Sequence, residues 1–192
     1  FILISGWLLE GIGANPGDLS LVMQAATFLG LGFAFLLAVF PFYSWIPLLI
    51  EETHPYVVGF LLWILPTATM FYGLGFLDRY TWLRDASALN TILTTVGVIM
   101  VVTGGILSVF QRHLGRIMGY AIIVGNGVNL LALSLGSQTG LNIFLLLLIP
   151  RALSLGIWAL SLSILREQAP GLNFKDVKKL GRTWPFAASG LI

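Results

Sequence analysis

The most chemically loaded position in this chain is Arg151, preceded by Pro150 in the middle of the apolar run Leu141–Leu165. A run of that length can cross a bilayer as a helix, which takes about 20 apolar residues. Pro150 lacks a backbone donor, so a kink or break is expected there. Arg151 then holds a permanent charge near the membrane midplane, at a cost of about 3 kcal/mol on insertion scales and more than 10 on an isolated helix. Two explanations are open. The guanidinium faces a partner, a wet cavity or an ion path, or it is a structural group paired to carbonyls freed at Pro150.

Other polar residues stand out against the apolar background. Asn126 lies inside a second apolar run and must find a partner, either across helices or along a conducting path. Tyr43 follows Pro41, a second expected break, and is either a hydrogen-bonding group there or an interfacial aromatic. Glu51, Glu52 and His54 form a polar connector, which could be the mouth of an ion path, a subunit contact or a merely solvated turn. Arg116, in a short basic turn, belongs with them as an entrance or subunit contact. Thr94, Thr95 and Thr103 offer hydroxyls to a wet path, although threonines more often bond back to their own helix.

Composition excludes much else. Of the 192 residues, 9% are charged and 57% hydrophobic, whereas a soluble domain carries about 25% charged residues. This is the profile of an integral membrane protein. A net charge of +2 gives no footprint for nucleic acid. With no Cys and only His54 and His113 as imidazoles, neither a disulfide framework nor a metal cluster is expected. No nucleophile–base constellation or phosphate loop is visible, so catalysis of the kind soluble enzymes perform is not expected.

These residues require membrane helices to position them. Leu19–Ile50 is free of charge and reads as a span to about Phe40, a break at Pro41 and a short segment Phe42–Leu49. Tyr56–Leu77 is the next span, with Pro66 as a kink. Ser87–Gln111, Ile117–Leu135 and Leu141–Leu165 follow. That makes about five full spans, with partial helices at Phe1–Ile12 and Trp184–Ile192. The abrupt start at Phe1 is expected of a fragment of a longer chain, with residues 1–192 as one transmembrane domain. Alternation of sides puts seven of the ten Lys and Arg residues on one face. The positive-inside rule places that face, including the basic loop 166–183, in the cytoplasm or its organellar equivalent. The lysines of that loop could also meet anionic headgroups. The Gly pairs Gly30/Gly32, Gly73/Gly75 and Gly104/Gly105 are expected to let helices approach closely.

Phe40-Pro-Phe-Tyr-Ser-Trp-Ile-Pro47 followed by Glu52-Thr-His-Pro55 resembles the PFHxWLP…EAP signature of the antiporter-like membrane subunits of complex I, its photosynthetic relatives, group 4 hydrogenases and Mrp antiporters. Arg116-Ile-Met-Gly-Tyr120 with Gly127, the Pro150–Gly156 segment and Asp176–Pro185 resemble later landmarks of that family in the same order. The resemblance implies an all-α polytopic bundle with two broken helices, at Pro41 and Pro150. It also implies a proton path along buried Lys, His and Glu. Here those positions fall on Leu36, Tyr43, Thr69, Gly125 or Asn126, and Leu155, and Arg151 stands at or beside a family His. No Lys occurs before Lys175. A guanidinium stays protonated and makes a poor relay.

The resulting expectation is a membrane-arm subunit of a complex I-like, redox-coupled ion-translocating assembly with a degenerate or altered proton path. By the resemblance, any NAD(P)H– or ferredoxin–quinone oxidoreductase chemistry lies elsewhere. Quinone, flavin and Fe–S clusters would belong to partner subunits, with none in this chain. The partners would be other membrane subunits and lipid, in a bacterial inner membrane or a thylakoid or organellar inner membrane. The alternatives are a purely structural subunit of another energy-converting complex, or a stand-alone secondary transporter that binds an anion at Arg151.

Overall fold

The computed structural model describes residues 1–14, 18–80, 84, 87–136, 138–169, 171–178 and 185–190. They form helices α1 (Ile2–Ala14), α2 (Leu19–Leu36), α3 (Trp45–Glu52), α4 (Pro55–Arg79), α5 (Ser87–Val109), α6 (Leu114–Ser134), α7 (Gln138–Gln168), α8 (Phe174–Val177) and α9 (Pro185–Ser189). The described residues contain no strand beyond an isolated bridge between His113 and Asn173. The chain is an all-α polytopic membrane protein. Four helices, α4 to α7, are long and apolar enough to span a bilayer.

Helix α2 is capped by Asp18, whose carboxylate accepts from the Ser20 and Leu21 amides. A hydrogen bond from the Ser20 hydroxyl, with these two from the amides, holds the Asp18 carboxyl below its ordinary range. The helix ends at Leu36, short of the Phe40 boundary expected from sequence, and its 18 residues reach only about 27 Å at 1.5 Å per residue. Pro41 cannot continue a helix and disfavours helical backbone before it. The chain leaves the helix through Ala38, at φ 51°, and a cis Phe40–Pro41 bond. The break at Pro41 is therefore real and spans residues 37–44.

The break expected at Pro150 is absent. Helix α7 runs through Pro150 as a single 31-residue element, and Pro66 likewise lies within α4. One missing donor in a long apolar helix leaves the other turns intact. Glu51 and Glu52 belong to α3, not to a connector, and Arg116 lies in the first turn of α6. Of the loops expected from sequence, residues 15–17, 81–83, 85–86, 137, 170 and 179–184, with Lys179 and Arg182, lie outside the described residues.

Helix α6 is the centre of the bundle. It packs on α3, α5 and α7, and half of its most apolar window is buried, against 17% for α5 and α7. Missing side chains permit this. A Cβ at Gly119 would lie 2.9 Å from the Pro47 Cα of α3, and one at Gly127 would lie 2.9 Å from the Gly97 carbonyl of α5. On α4, a Cβ at Gly59 would lie 2.8 Å from Ala159 of α7. These are backbone approaches of the kind that small residues allow in membranes. Of the glycines singled out from sequence, Gly32, Gly73 and Gly104 sit at contacts, while Gly30, Gly75 and Gly105 face open space.

The hairpin of α6 and α7 is tied at both ends. At one end the Leu114 amide donates to the Leu172 carbonyl (2.9 Å) and the Phe174 amide to the Arg112 carbonyl (3.0 Å). At the other, α6 closes on Gly136 at φ +59°, and Gly140 lies against the Ala132 carbonyl where no Cβ would fit.

Candidate functional site

The α2–α3 break and Arg151 meet through Asn126. Asn126 is fully buried on α6. Its Nδ2 donates to the Leu37 carbonyl at 3.3 Å, a carbonyl in the break after α2. Its Oδ1 accepts from Arg151 Nη2 of α7. A single amide thus ties three elements, using its donor on the freed backbone and its acceptor on the charge. The structural alternative weighed for Arg151 is therefore corrected in one respect. Its partner is a side chain on α6, and the freed carbonyl in the network belongs to the Pro41 break, not to Pro150.

The guanidinium is incompletely satisfied. Arg151 Nη1 is buried without a hydrogen-bond partner, and so is Asn129 Nδ2, one turn along α6 from Asn126. The Nε–Cζ–Nη2 edge lies over Gly125, whose missing Cβ would sit 3.5 Å from Nε. Arg151 and Gly125 line a cleft of about 500 Å³ with Ala121, Ser154, Leu155 and Trp158, together with Ser189, the last residue of α9, and Gly190 just beyond it. Among the described residues Arg151 forms no ion pair.

The positions where the resemblance expects titratable groups are apolar or self-satisfied. Leu36 precedes Leu37 at the end of α2. Thr69 is buried, with its hydroxyl donating to its own helix at the Leu65 carbonyl (2.7 Å). Leu155 is buried. Tyr43 is buried in an aromatic group, edge-on to Tyr120 at 6.4 Å and 5.9 Å from Phe40. Thr94, Thr95 and Thr103 each donate to a carbonyl four residues back.

A second polar cluster gathers at the end of the bundle where α3, α4, α6 and α7 meet. Arg116 Nε and Nη2 both reach Glu51 Oε2, at 2.8 and 2.6 Å. Arg166 Nη1 donates to the Thr53 carbonyl. His54 Nε2 lies 3.2 Å from Ser163 Oγ. Glu52 is exposed. His113 caps α6, its Nδ1 accepting from the Arg116 amide at 3.4 Å. Burial, with Arg116 and Arg166 nearby, lowers the His113 pKa against the opposing pull of Glu51 and Asp176. Sequence reasoning grouped Glu51, His54 and Arg116 but missed His113 and Arg166. The signal for His113 was its position just before an apolar periodic run, where caps occur.

A helical membrane bundle built around a buried cation and a broken helix is the setting, and the chain belongs to the NADH:quinone oxidoreductase/Mrp antiporter transmembrane family, whose model matches residues 10–192. Among curated relatives it is 27% identical to NADH-quinone oxidoreductase subunit N of Methylobacterium nodulans, over 97% of this chain and 42% of that protein. It is 28% identical to the subunit N of Rhodobacter capsulatus, over 86% of this chain and 34% of the relative. NAD(P)H-quinone oxidoreductase subunit 2 of Gloeobacter violaceus is 26% identical over 68% of this chain and 24% of its own length. The chain thus spans less than half the length of these relatives. Among the described residues there is no group of three or more His, Cys, Asp or Glu able to hold a metal.

Proposed function

We propose that this chain serves as a membrane-arm subunit of a redox-coupled, ion-translocating quinone oxidoreductase, with the redox cofactors on partner subunits. The family match over residues 10–192 carries this reading, and the names of the relatives point the same way. Within it, the path through these helices departs from the Lys-based wire that the resemblance implies. The interiors of α2, α5, α6 and α7 contain no Asp, Glu or Lys. A permanently charged guanidinium bound to an amide, which does not titrate, stabilises a field but does not hand on a proton. Arg151 therefore acts as a fixed charge that sets the affinity of neighbouring groups for protons and fastens the α2–α3 break to α7.

The test is the native mass of the protein after mild detergent extraction, with every co-migrating subunit identified. Co-migration with a flavin- and Fe–S-containing arm is the expected result. Migration as a lone protomer or homo-oligomer would overturn the reading. It would favour the second one, a stand-alone transporter that binds an anion at Arg151, which draws on the cleft beside that residue and its lack of an acidic partner among the described residues.

A further inference from the structure

A permanent cation at this depth needs a counter-ion, and the described residues do not supply one. Arg151 lies 13 residues from the start of α7 and 17 from its end, about 20 and 26 Å along the helix. Lipid phosphates at either surface are therefore out of its reach. The described acidic side chains are elsewhere. Glu51 is taken by Arg116, Glu10 is on α1, which packs on α2, and Asp18, Glu52, Asp78, Glu167 and Asp176 sit at helix ends or in loops. Asn126 satisfies one N–H of the guanidinium but leaves its charge uncompensated.

The surroundings are shaped to admit a partner. Arg151 lines the cleft with its guanidinium stacked on Gly125, Nη2 held by Asn126 and Nη1 without a partner, and a guanidinium with donors to spare is suited to a carboxylate. The rest of the lining is small or apolar, Ser154 and Ile157 among them. We propose that this cleft is a carboxylate-binding site filled by an Asp or Glu on a further membrane helix of the same polypeptide. Two observations favour that source. The relatives are more than twice as long as the stretch matched here, and Ser189 at the end of α9 and Gly190 just beyond it already line the cleft, which places the chain alongside it. The proposal rests on the membrane placement of α6 and α7 and is independent of which assembly holds the protein.

Carbodiimide labelling tests it. Dicyclohexylcarbodiimide reacts with protonated carboxyls in apolar surroundings and spares ionised ones. An adjacent opposite charge lowers a carboxyl pKa by about 1 to 3 units, so losing that charge raises the protonated fraction about 10- to 1000-fold. The full-length protein is labelled in native membranes and its modified residues mapped. In Arg151→Met, one intramembrane carboxyl of the same polypeptide becomes reactive, while in Arg151→Lys it stays protected. Gly125→Ala keeps the charge but crowds the cleft, and partial reactivity of the same carboxyl is expected. This variant serves if Arg151→Met fails to accumulate. An identical labelling map in wild type and variants overturns the proposal, as does a free anion in the cleft, which gives that map. A newly reactive carboxyl on a different subunit overturns the assignment to the same chain.

Discussion

Asn126 is the residue on which the buried network turns, because it serves a cation and a freed carbonyl at once. Replacing it by Leu strands the Leu37 carbonyl and removes the acceptor that Arg151 has in the described structure. A buried charged group left without its partner costs more than the 1 to 3 kcal/mol of a neutral one, so Asn126→Leu is expected to destabilise the protein by at least about 2 kcal/mol. Thermal unfolding of the detergent-solubilised protein measures this. Asn126→Asp, which gives Arg151 a carboxylate, is expected to retain most of the stability despite losing the donor to Leu37. Equal melting of Asn126→Leu and wild type would remove the network from any structural account. The polar members of this network are legible in the sequence, since Arg and Asn in apolar runs announce themselves by their desolvation cost. The third member was not, because a backbone carbonyl has no letter. Leu37 became an acceptor only when the chain around Pro41 left the helix.

At the scale of elements, the spans were readable from apolar length, and their ends less so. Pro41 and Pro150 looked alike in sequence, yet only the first ends a helix. Pro41 sits among turns that begin four residues earlier, at Leu37, whereas Pro150 lies between two long apolar arms that keep their own hydrogen bonds. The close approaches at Gly119, Gly127 and Gly59 were also missed; Gly59 and Gly119 are isolated, while Gly127 pairs with Gly125 at the same spacing as Gly30 and Gly32 and was readable in the same way. The start of α6 offers a test by pH. His113 caps α6 through Nδ1, and its folded pKa lies below its unfolded value near 6.5. Above that value both states are neutral and stability is fully present. As pH falls through 6.5 the unfolded state takes the proton first, and stability declines until the depressed folded pKa is passed. Protonation of Nδ1 also abolishes the cap. His113→Asn, which can cap without titrating, is expected to flatten this part of the profile between pH 7 and 5. Parallel melting curves for wild type and variant across that range would exclude His113 as the source.

For the whole molecule, the prediction concerns orientation and starts from where the basic residues gather. Arg112, Arg116, Arg166, Lys175 and Lys178 share the end of the bundle at which α6 begins and α7 finishes, and the prediction from the positive-inside rule is that this end faces the cytoplasm or its equivalent. These 192 residues contain no Cys, so single cysteines introduced here are distinct labelling sites. With a membrane-impermeant maleimide, Lys178→Cys is expected to label only in inverted vesicles and Asp78→Cys only in right-side-out ones. The reverse pattern would invert the topology. Most exposed large apolar side chains lie on the spanning helices, as on the Ile92, Ile99, Val102, Ile106 and Val109 stripe of α5. The low charge content already implied such faces.

The two ties that close the α6–α7 hairpin have a mechanical consequence. One end is clasped by the backbone pairing of 112–114 with 172–174, and the other is pinched where Gly140 meets the Ala132 carbonyl. A beam clamped at both ends deflects most at its centre and hardly at all at its supports. In α7 Pro150 lies three residues from the midpoint of the helix, and there the ladder of hydrogen bonds lacks a rung. Any bending of α7 is expected to fall near the turn that carries Arg151, whose contacts are Asn126 and, through it, the Leu37 carbonyl.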